Sequence, residues 1–154
     1  MSRFSSILPA VTIVTKTAQV SPAREAWALM FELFAQQKPR HIAIAAEFDL
    51  SPMQAFALRL IEPGTPVAMS DLAEALHCDA SNVTGIVDRL EARELIARRG
   101  ADHDRRVKML VVTEQGAALR ERLLARISEP PPAIAALSAA DQRSLRDILR
   151  RALG

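Results

Sequence analysis

Residues 79–116 read DASNVTGIVDRLEARELIARRGADHDRRVKMLVVTEQG, and the fold turns on how the pattern changes within this stretch. Its first half, from about Ala80 to Glu94, places Val83, Ile86, Val87 and Leu90 on one side of a helix at 100° per residue, with Asp79 as its N-cap. Its second half holds two β-prone runs, LIARR and VKMLVVT, on either side of GADHDRR. The cations Arg98, Arg99, Arg105, Arg106 and Lys108 gather around that turn, with Asp102 and Asp104 between them. Upstream, Ser70 is expected to cap a short helix from Asp71 to Leu76 that turns Leu72, Ala73 and Leu76 inward. The break HCDA is short enough to join the two helices as a helix-turn-helix, followed at once by a hairpin.

The solvent face of the longer helix then consists of Ser81, Thr84, Gly85 and Asp88, flanked by Asn82 and Arg89. Short hydrogen-bonding side chains in the first turns are what a helix needs to enter a major groove and read base edges. Gly85 costs about 1 kcal/mol relative to Ala in mid-helix, which points to close approach of something to the backbone. Asp79 satisfies the first N–H groups internally, so a phosphate contact there falls to a neighbour such as Ser81. A hairpin directly after such a helix projects along the duplex. Its tip, Arg105 and Arg106, would reach the adjacent minor groove, with Arg98, Arg99 and Lys108 on phosphates. Asp104 reads as orienting an arginine, because a carboxylate facing phosphates is repelled. Asp88 and Arg89 read as holding the wing against the helix through salt bridges, with direct DNA contact by Arg89 as the alternative.

Outward from this stretch the chain is helical. Ser21-Pro22 opens a helix whose Trp27, Met30, Phe31 and Phe34 form one stripe, and Pro39 interrupts it before HIAIAAEF. Ser51-Pro52-Met53-Gln54 is a capping box opening a helix through about Ile61, and EPGTP is a loop. Thr113 caps a helix carrying Leu119, Leu123 and Ile127. Pro130, Pro131 and Pro132 stop or bend it, and Ser138 with Asp141 marks a last helix with Leu145, Ile148, Leu149 and Ala152 in register.

The chain has 154 residues, 49% apolar and 4% aromatic, enough for one compact domain and too few for two independent ones. The expected class is mainly α with a small β-hairpin wing. A formal charge of +2 says little about partners; its placement says more. The single Cys78 requires no oxidising compartment, so a cytoplasmic protein is expected. The apolar run ILPAVTIVT contains Pro9 and is followed by Lys16 rather than a cleavage site, so residues 1–20 read as a flexible or partner-docked tail. No run approaches the ~20 apolar residues that span a bilayer, and no membrane partner is expected.

Together these residues resemble the winged helix-turn-helix of the MarR family, the multiple-antibiotic-resistance regulators. The likeness rests on DRL at Asp88 to Leu90, then RR, then DRR at Asp104 to Arg106, then a strand ending in VTEQG. It extends through LSPMQAFALRLI and SDLAEAL on one side and LSAADQRSLRDILRRAL on the other. The resemblance implies a homodimer whose N- and C-terminal helices (21–48 and 114–154) interlock, with lobes spanning 51–113 that read a pseudo-palindromic double-stranded operator. It also implies a cleft where a small, often phenolic or aromatic effector loosens DNA binding, making the chain a regulator and, by expectation, a repressor. The first and last helices support the dimer independently, since their stripes exceed what a small lobe covers. Two lobes on one face would place half-sites about 10 bp apart. The triple proline and the apolar tail depart from the family pattern.

Candidate effector contacts are Trp27, Met30, Phe31, Phe34, His41, Phe56 and Leu60. The arginines Arg143, Arg146, Arg150 and Arg151 read as a solvated face. Cys78 in the helix-turn-helix turn reads first as a small buried hydrophobe, with a thiol-responsive switch as the alternative. His77, Cys78 and His103 lack zinc-like spacing, so neither a metal site nor a cofactor is expected. No Gly-rich phosphate loop, nucleophile elbow or acid–base pair marks an enzyme. A winged-helix module that binds protein instead of DNA would be expected to lack the wing's cations.

Overall fold

The computed structural model describes residues 21–100 and 108–154. In chain order these form α1 (Pro22–Gln36), α2 (Lys38–Glu47), α3 (Pro52–Leu60), β1 (Val67–Ala68), α4 (Met69–Leu76), α5 (Ala80–Ala92), β2 (Ile96–Gly100), β3 (Lys108–Val112), α6 (Glu114–Ser128), α7 (Pro132–Ala135) and α8 (Ala139–Leu153). The fold is mostly helical with one small antiparallel sheet. Two compact units divide at Ala35 and Gln36, so α1 falls almost wholly in the first and all later elements in the second.

In the first unit, Ser21 accepts the Arg24 N–H through its Oγ at 3.3 Å, as a cap before Pro22 should. None of the residues of α1 is buried, and Trp27, Phe31 and Phe34 are each about two-thirds exposed.

The second unit has a core assembled from every element of the helix-turn-helix and the sheet. Leu58 and Ile61 at the end of α3, Leu72 of α4, Val83, Val87 and Leu90 of α5, Leu95 and Ile96 entering β2, Leu110 of β3 and Leu123 of α6 are all fully buried. On α5 the buried residues fall at steps of four and three, and Ile86 packs at the margin, so the helical period and the core agree. Ser51 and Gln54 make the expected capping box, with Gln54 Oε1 taking the Ser51 N–H at 2.7 Å and Ser51 Oγ taking the Gln54 N–H at 3.2 Å. Thr113 and Ser138 cap α6 and α8.

The sheet departs from the expected hairpin. Its order is β1-β3-β2, because Val67 and Ala68 pair with Leu110 and Met109 along the free edge of β3. The same pairing moves the start of α4. Ser70 is not its cap: Ala68, extended at φ −71° and ψ 151°, occupies that position without a side-chain bond, and Ser70 Oγ lies inside the helix, donating to Asp71. Two residues are too few to show strand alternation, so β1 exists only because β3 offers it an edge.

Glycine and arginine have structural roles that composition does not reveal. A Cβ at Gly116 would lie 1.8 Å from the Leu95 carbonyl oxygen, which also accepts the Thr113 N–H at 3.1 Å. Only glycine lets α6 start this close to the corner where Glu94 adopts φ 56°. Arg93 donates to the carbonyls of Phe48 and Asp49 at 3.1 and 2.5 Å, where α2 ends. Arg120 donates from Nε and Nη2 to the Arg59 carbonyl at the end of α3, at 3.3 and 3.0 Å. Each guanidinium therefore satisfies carbonyls that the helix itself leaves without donors.

Candidate nucleic-acid interface

The helix-turn-helix depends on a left-handed residue. His77 ends α4 at φ 50° and ψ 42°, its N–H reaching Glu74 O at 3.0 Å while the Cys78 N–H reaches Ala73 O at 3.1 Å. This reversal lets α5 begin three residues later. Cys78 is half-buried against the core cluster, which is the packing role of a small hydrophobe.

On α5, Ser81, Asn82, Thr84, Asp88 and Arg89 are exposed, and Gly85 lies between them. The first turn is self-organised. Asp79 accepts the Asn82 backbone N–H at 2.9 Å, the Ser81 hydroxyl at 2.7 Å and Asn82 Nδ2 at 3.2 Å. The Ser81 hydroxyl and the Asn82 N–H hold the Asp79 carboxyl below the usual carboxylate range. The bonds leave capacity outward: Ser81 Oγ keeps its lone pairs, and Asn82 keeps its carbonyl oxygen and one N–H. Thr84 Oγ1 donates to Ala80 O at 2.8 Å, leaving lone pairs and a methyl. A Cβ built at Gly85 meets nothing within 4 Å, so no neighbour among the described residues requires glycine there. A concavity of about 420 Å³ runs along this face, bounded by Ser51, Met53, Cys78, Ser81, Asn82, Gly85, Ile86 and Arg89. Ser51 and Met53, at the start of α3, were not among the residues expected here from sequence.

Arg98 on β2 is tied to α5. Its Nη2 reaches Asp88 Oδ1 at 2.5 Å, its Nη1 bonds Glu91, and its backbone N–H reaches Glu91 Oε1 at 3.1 Å. The hydrogen bond Arg98 donates to Asp88, with the added charge of Glu91, raises the guanidinium pKa further above its ordinary value, and the pair fixes strand to helix. Glu91 was not expected here from sequence, although Asp88 and Glu91 at i and i+3 necessarily share a face. Arg99 and Lys108 are exposed, at the strand ends where Arg99 pairs with Met109 and Gly100 with Lys108. Asp102, His103, Asp104, Arg105 and Arg106 lie outside the described residues.

Of the candidate effector contacts, His41 and Phe56 come together. They line a cavity of about 310 Å³ with Ile44, Met53, Arg59 and Leu123 among its other walls, and the Arg59 guanidinium lies 4.8 Å from the Phe56 ring centroid. Leu60 does not line it and packs against the core. Trp27, Met30, Phe31 and Phe34 belong to the first unit. Among the described residues, no group of three or more His, Cys, Asp or Glu is placed to hold a metal ion, and no helix is long and apolar enough to cross a membrane.

Comparison with known proteins places this geometry. The MarR family model matches residues 48–107, from the end of α2 across the helix-turn-helix. The HTH-type transcriptional repressor MdtR of Bacillus subtilis (strain 168) is 33% identical over 93 residues, 60% of this chain and 60% of that protein. The chain thus spans well under two-thirds of that relative. A solved protein of Pseudomonas aeruginosa titled a probable transcriptional regulator is 31% identical over 77% of this chain and 92% of that one, with a TM-score of 0.58. A variant of MepR from S. aureus, solved bound to an oligodeoxyribonucleotide, shares the fold at 21% identity with a TM-score of 0.62, over 82% of this chain and 95% of that one. Residues 48–107 thus match the MarR family, and the fold around them is shared with these solved proteins over about four-fifths of the chain.

Proposed function

We propose that the chain is a homodimeric repressor that binds a pseudo-palindromic duplex and is released by a small aromatic effector. The observation that carries the reading is the outer face of α5, where short polar side chains surround a glycine that no neighbour among the described residues requires. A duplex backbone or base edge occupying that space accounts for the missing Cβ. Ser81, Asn82 and Thr84 supply base readout, and Ser51 lies where a phosphate flanking the groove would pass. Arg99 and Lys108 supply phosphate contacts, Arg105 and Arg106 the minor-groove contact, and Arg98 with Asp88 and Glu91 fixes the sheet's angle to the helix.

The effector reading rests on the cavity around His41 and Phe56. Its size is at the lower end for ligand pockets, its walls are largely apolar, and Arg59 offers a cation at the Phe56 face. A single-ring aromatic acid fits that chemistry.

Fluorescence-anisotropy titration of the full chain with duplex from its own upstream region, at two salt concentrations, tests the DNA reading. Tight, salt-dependent binding that random duplex fails to compete away and that the Arg105→Ala, Arg106→Ala double variant loses is the expected result. No preference over random duplex, with the double variant unchanged, would overturn it. Salicylate is a suitable probe of the cavity: it should weaken the wild-type complex and leave that of Phe56→Ala unaffected.

A further inference from the structure

The junction between α6 and α7 carries an ion-pair system outside the DNA-facing surface. Helix α6 ends at Ser128, and Glu129 turns extended at φ −60° and ψ 133° before Pro130, Pro131 and Pro132. Prolines lack N–H groups and cannot extend the hydrogen bonding of the helix, so the last carbonyls of α6 need other donors. Arg40 of α2 provides them, donating from Nη2 to Glu129 O at 2.8 Å and Arg126 O at 3.4 Å. Arg126 clamps both sides of the junction. Its Nε and Nη2 reach the two oxygens of Glu47, on α2, at 2.9 and 3.1 Å, and its Nη1 bonds the Glu129 carboxylate. The backbone and the side chain of Glu129 are thus held by two different arginines, and both arginines are anchored on the α2–α6 contact.

Beyond the junction, the chain adds nothing to the buried core of the described residues: neither α7 nor α8 contributes a buried residue. Gln142 of α8 donates to the carbonyls of Ile134, Ala135 and Leu137, which binds the two helices into one arm. The proline run transmits orientation, since its φ angles are fixed near −65°. A rotation at Glu129 would therefore move the whole arm.

We infer that Arg40, Glu47, Arg126 and Glu129 form a latch that sets the direction in which the α7–α8 arm leaves the winged helix-turn-helix lobe. If the arm is the dimer contact, the latch also sets the separation of the two α5 helices; this consequence rests on the dimeric reading proposed above. These four are positioning residues, remote from the DNA-facing surface.

The test is an intramolecular distance. Nitroxide labels on Ala92→Cys in α5 and Arg143→Cys in α8, in a Cys78→Ser background and diluted into unlabelled full-length protein, report the arm-to-lobe separation by pulsed electron–electron resonance. With the latch intact the distribution should be narrow. Glu129→Gln, which removes one charge at an exposed site, and Arg126→Lys, which keeps the charge but cannot span both carboxylates, should each broaden and shift it while leaving the circular-dichroism spectrum unchanged. Distributions that superimpose on the parent in both variants would overturn the latch. The parent's failure to bind duplex would overturn the DNA reading and leave the distance result standing.

Discussion

The winged helix-turn-helix lobe and the α7–α8 arm solve opposite problems. In the lobe each amphipathic element finds its complement within the chain: Val83, Val87 and Leu90 of α5 are fully buried against α3, α4 and the sheet. In the arm α8 has an equally regular stripe, yet Ile148 is 53% and Leu153 87% exposed, and none of its residues is buried. Stripes of the same quality thus end in different environments. Burying one large aliphatic side chain contributes about 1.5–3 kcal/mol, so a stripe left in water marks association rather than folding. The lobe buries its stripes within the chain, whereas the exposed stripe of α8 is the surface that the proposed dimer would cover.

Four variants would sharpen or break this contrast. The largest effect is expected inside the lobe. Gly116→Ala forces a Cβ into the Leu95 carbonyl at a backbone-to-backbone contact that cannot yield locally, and should cost roughly 3 kcal/mol or more in chemical denaturation. A loss below about 1 kcal/mol would show that α6 can be displaced freely, and the lobe's tight corner would not matter.

Next, Ile148→Asp with Leu149→Asp should convert the proposed dimer to monomer in sedimentation velocity while the lobe's denaturation midpoint at low protein concentration stays put. A fall in that midpoint together with the oligomeric state would mean that arm and lobe fold as one unit.

A smaller effect is expected at the helix-turn-helix turn. His77→Gly relieves a left-handed non-glycine residue and should stabilise the lobe by up to about 1 kcal/mol, less the extra entropy of glycine in the unfolded chain. A clear destabilisation would show that the His77 imidazole makes a contact worth more than the strain.

The smallest effect concerns Asp79. Its carboxyl is held below the ordinary value of 3.8, so the unfolded chain binds the proton more readily than the folded one. Its contribution is therefore complete above that value and fades as pH falls through the lower folded pKa. Asp79→Asn should flatten the acid limb of the melting temperature below the ordinary carboxylate value of 3.8, with little change in slope at neutral pH. An unaltered acid limb would show that the Ser81 and Asn82 bonds do not persist in solution.

Much of the site was legible because local rules govern it. Helical period alone put Val83, Val87 and Leu90 inside and Ser81, Thr84 and Asp88 outside, and the caps Asp79, Ser51, Thr113 and Ser138 follow from short polar residues that precede helices. Residues with distant partners were not legible. No local pattern marks Arg93, Arg120 or Arg40, because the carbonyls they bind are 44 to 89 positions away in sequence. Gly116 appeared only as a motif letter, since the Leu95 oxygen that excludes every other residue arrives from across a strand corner.

The amino-acid sequence by itself determined the longer helices, the β2–β3 hairpin, their order and the chemistry of the α5 face, since periodicity, capping and side-chain polarity act within a few residues. Only the tertiary structure decided that Val67 and Ala68 would become a third strand, that Arg98 would serve two carboxylates of α5, and that Glu129 would be held between two arginines. Each of these depends on an edge, a charge or a carbonyl brought near by the packing of other elements. No local pattern encodes a neighbour supplied by the rest of the fold.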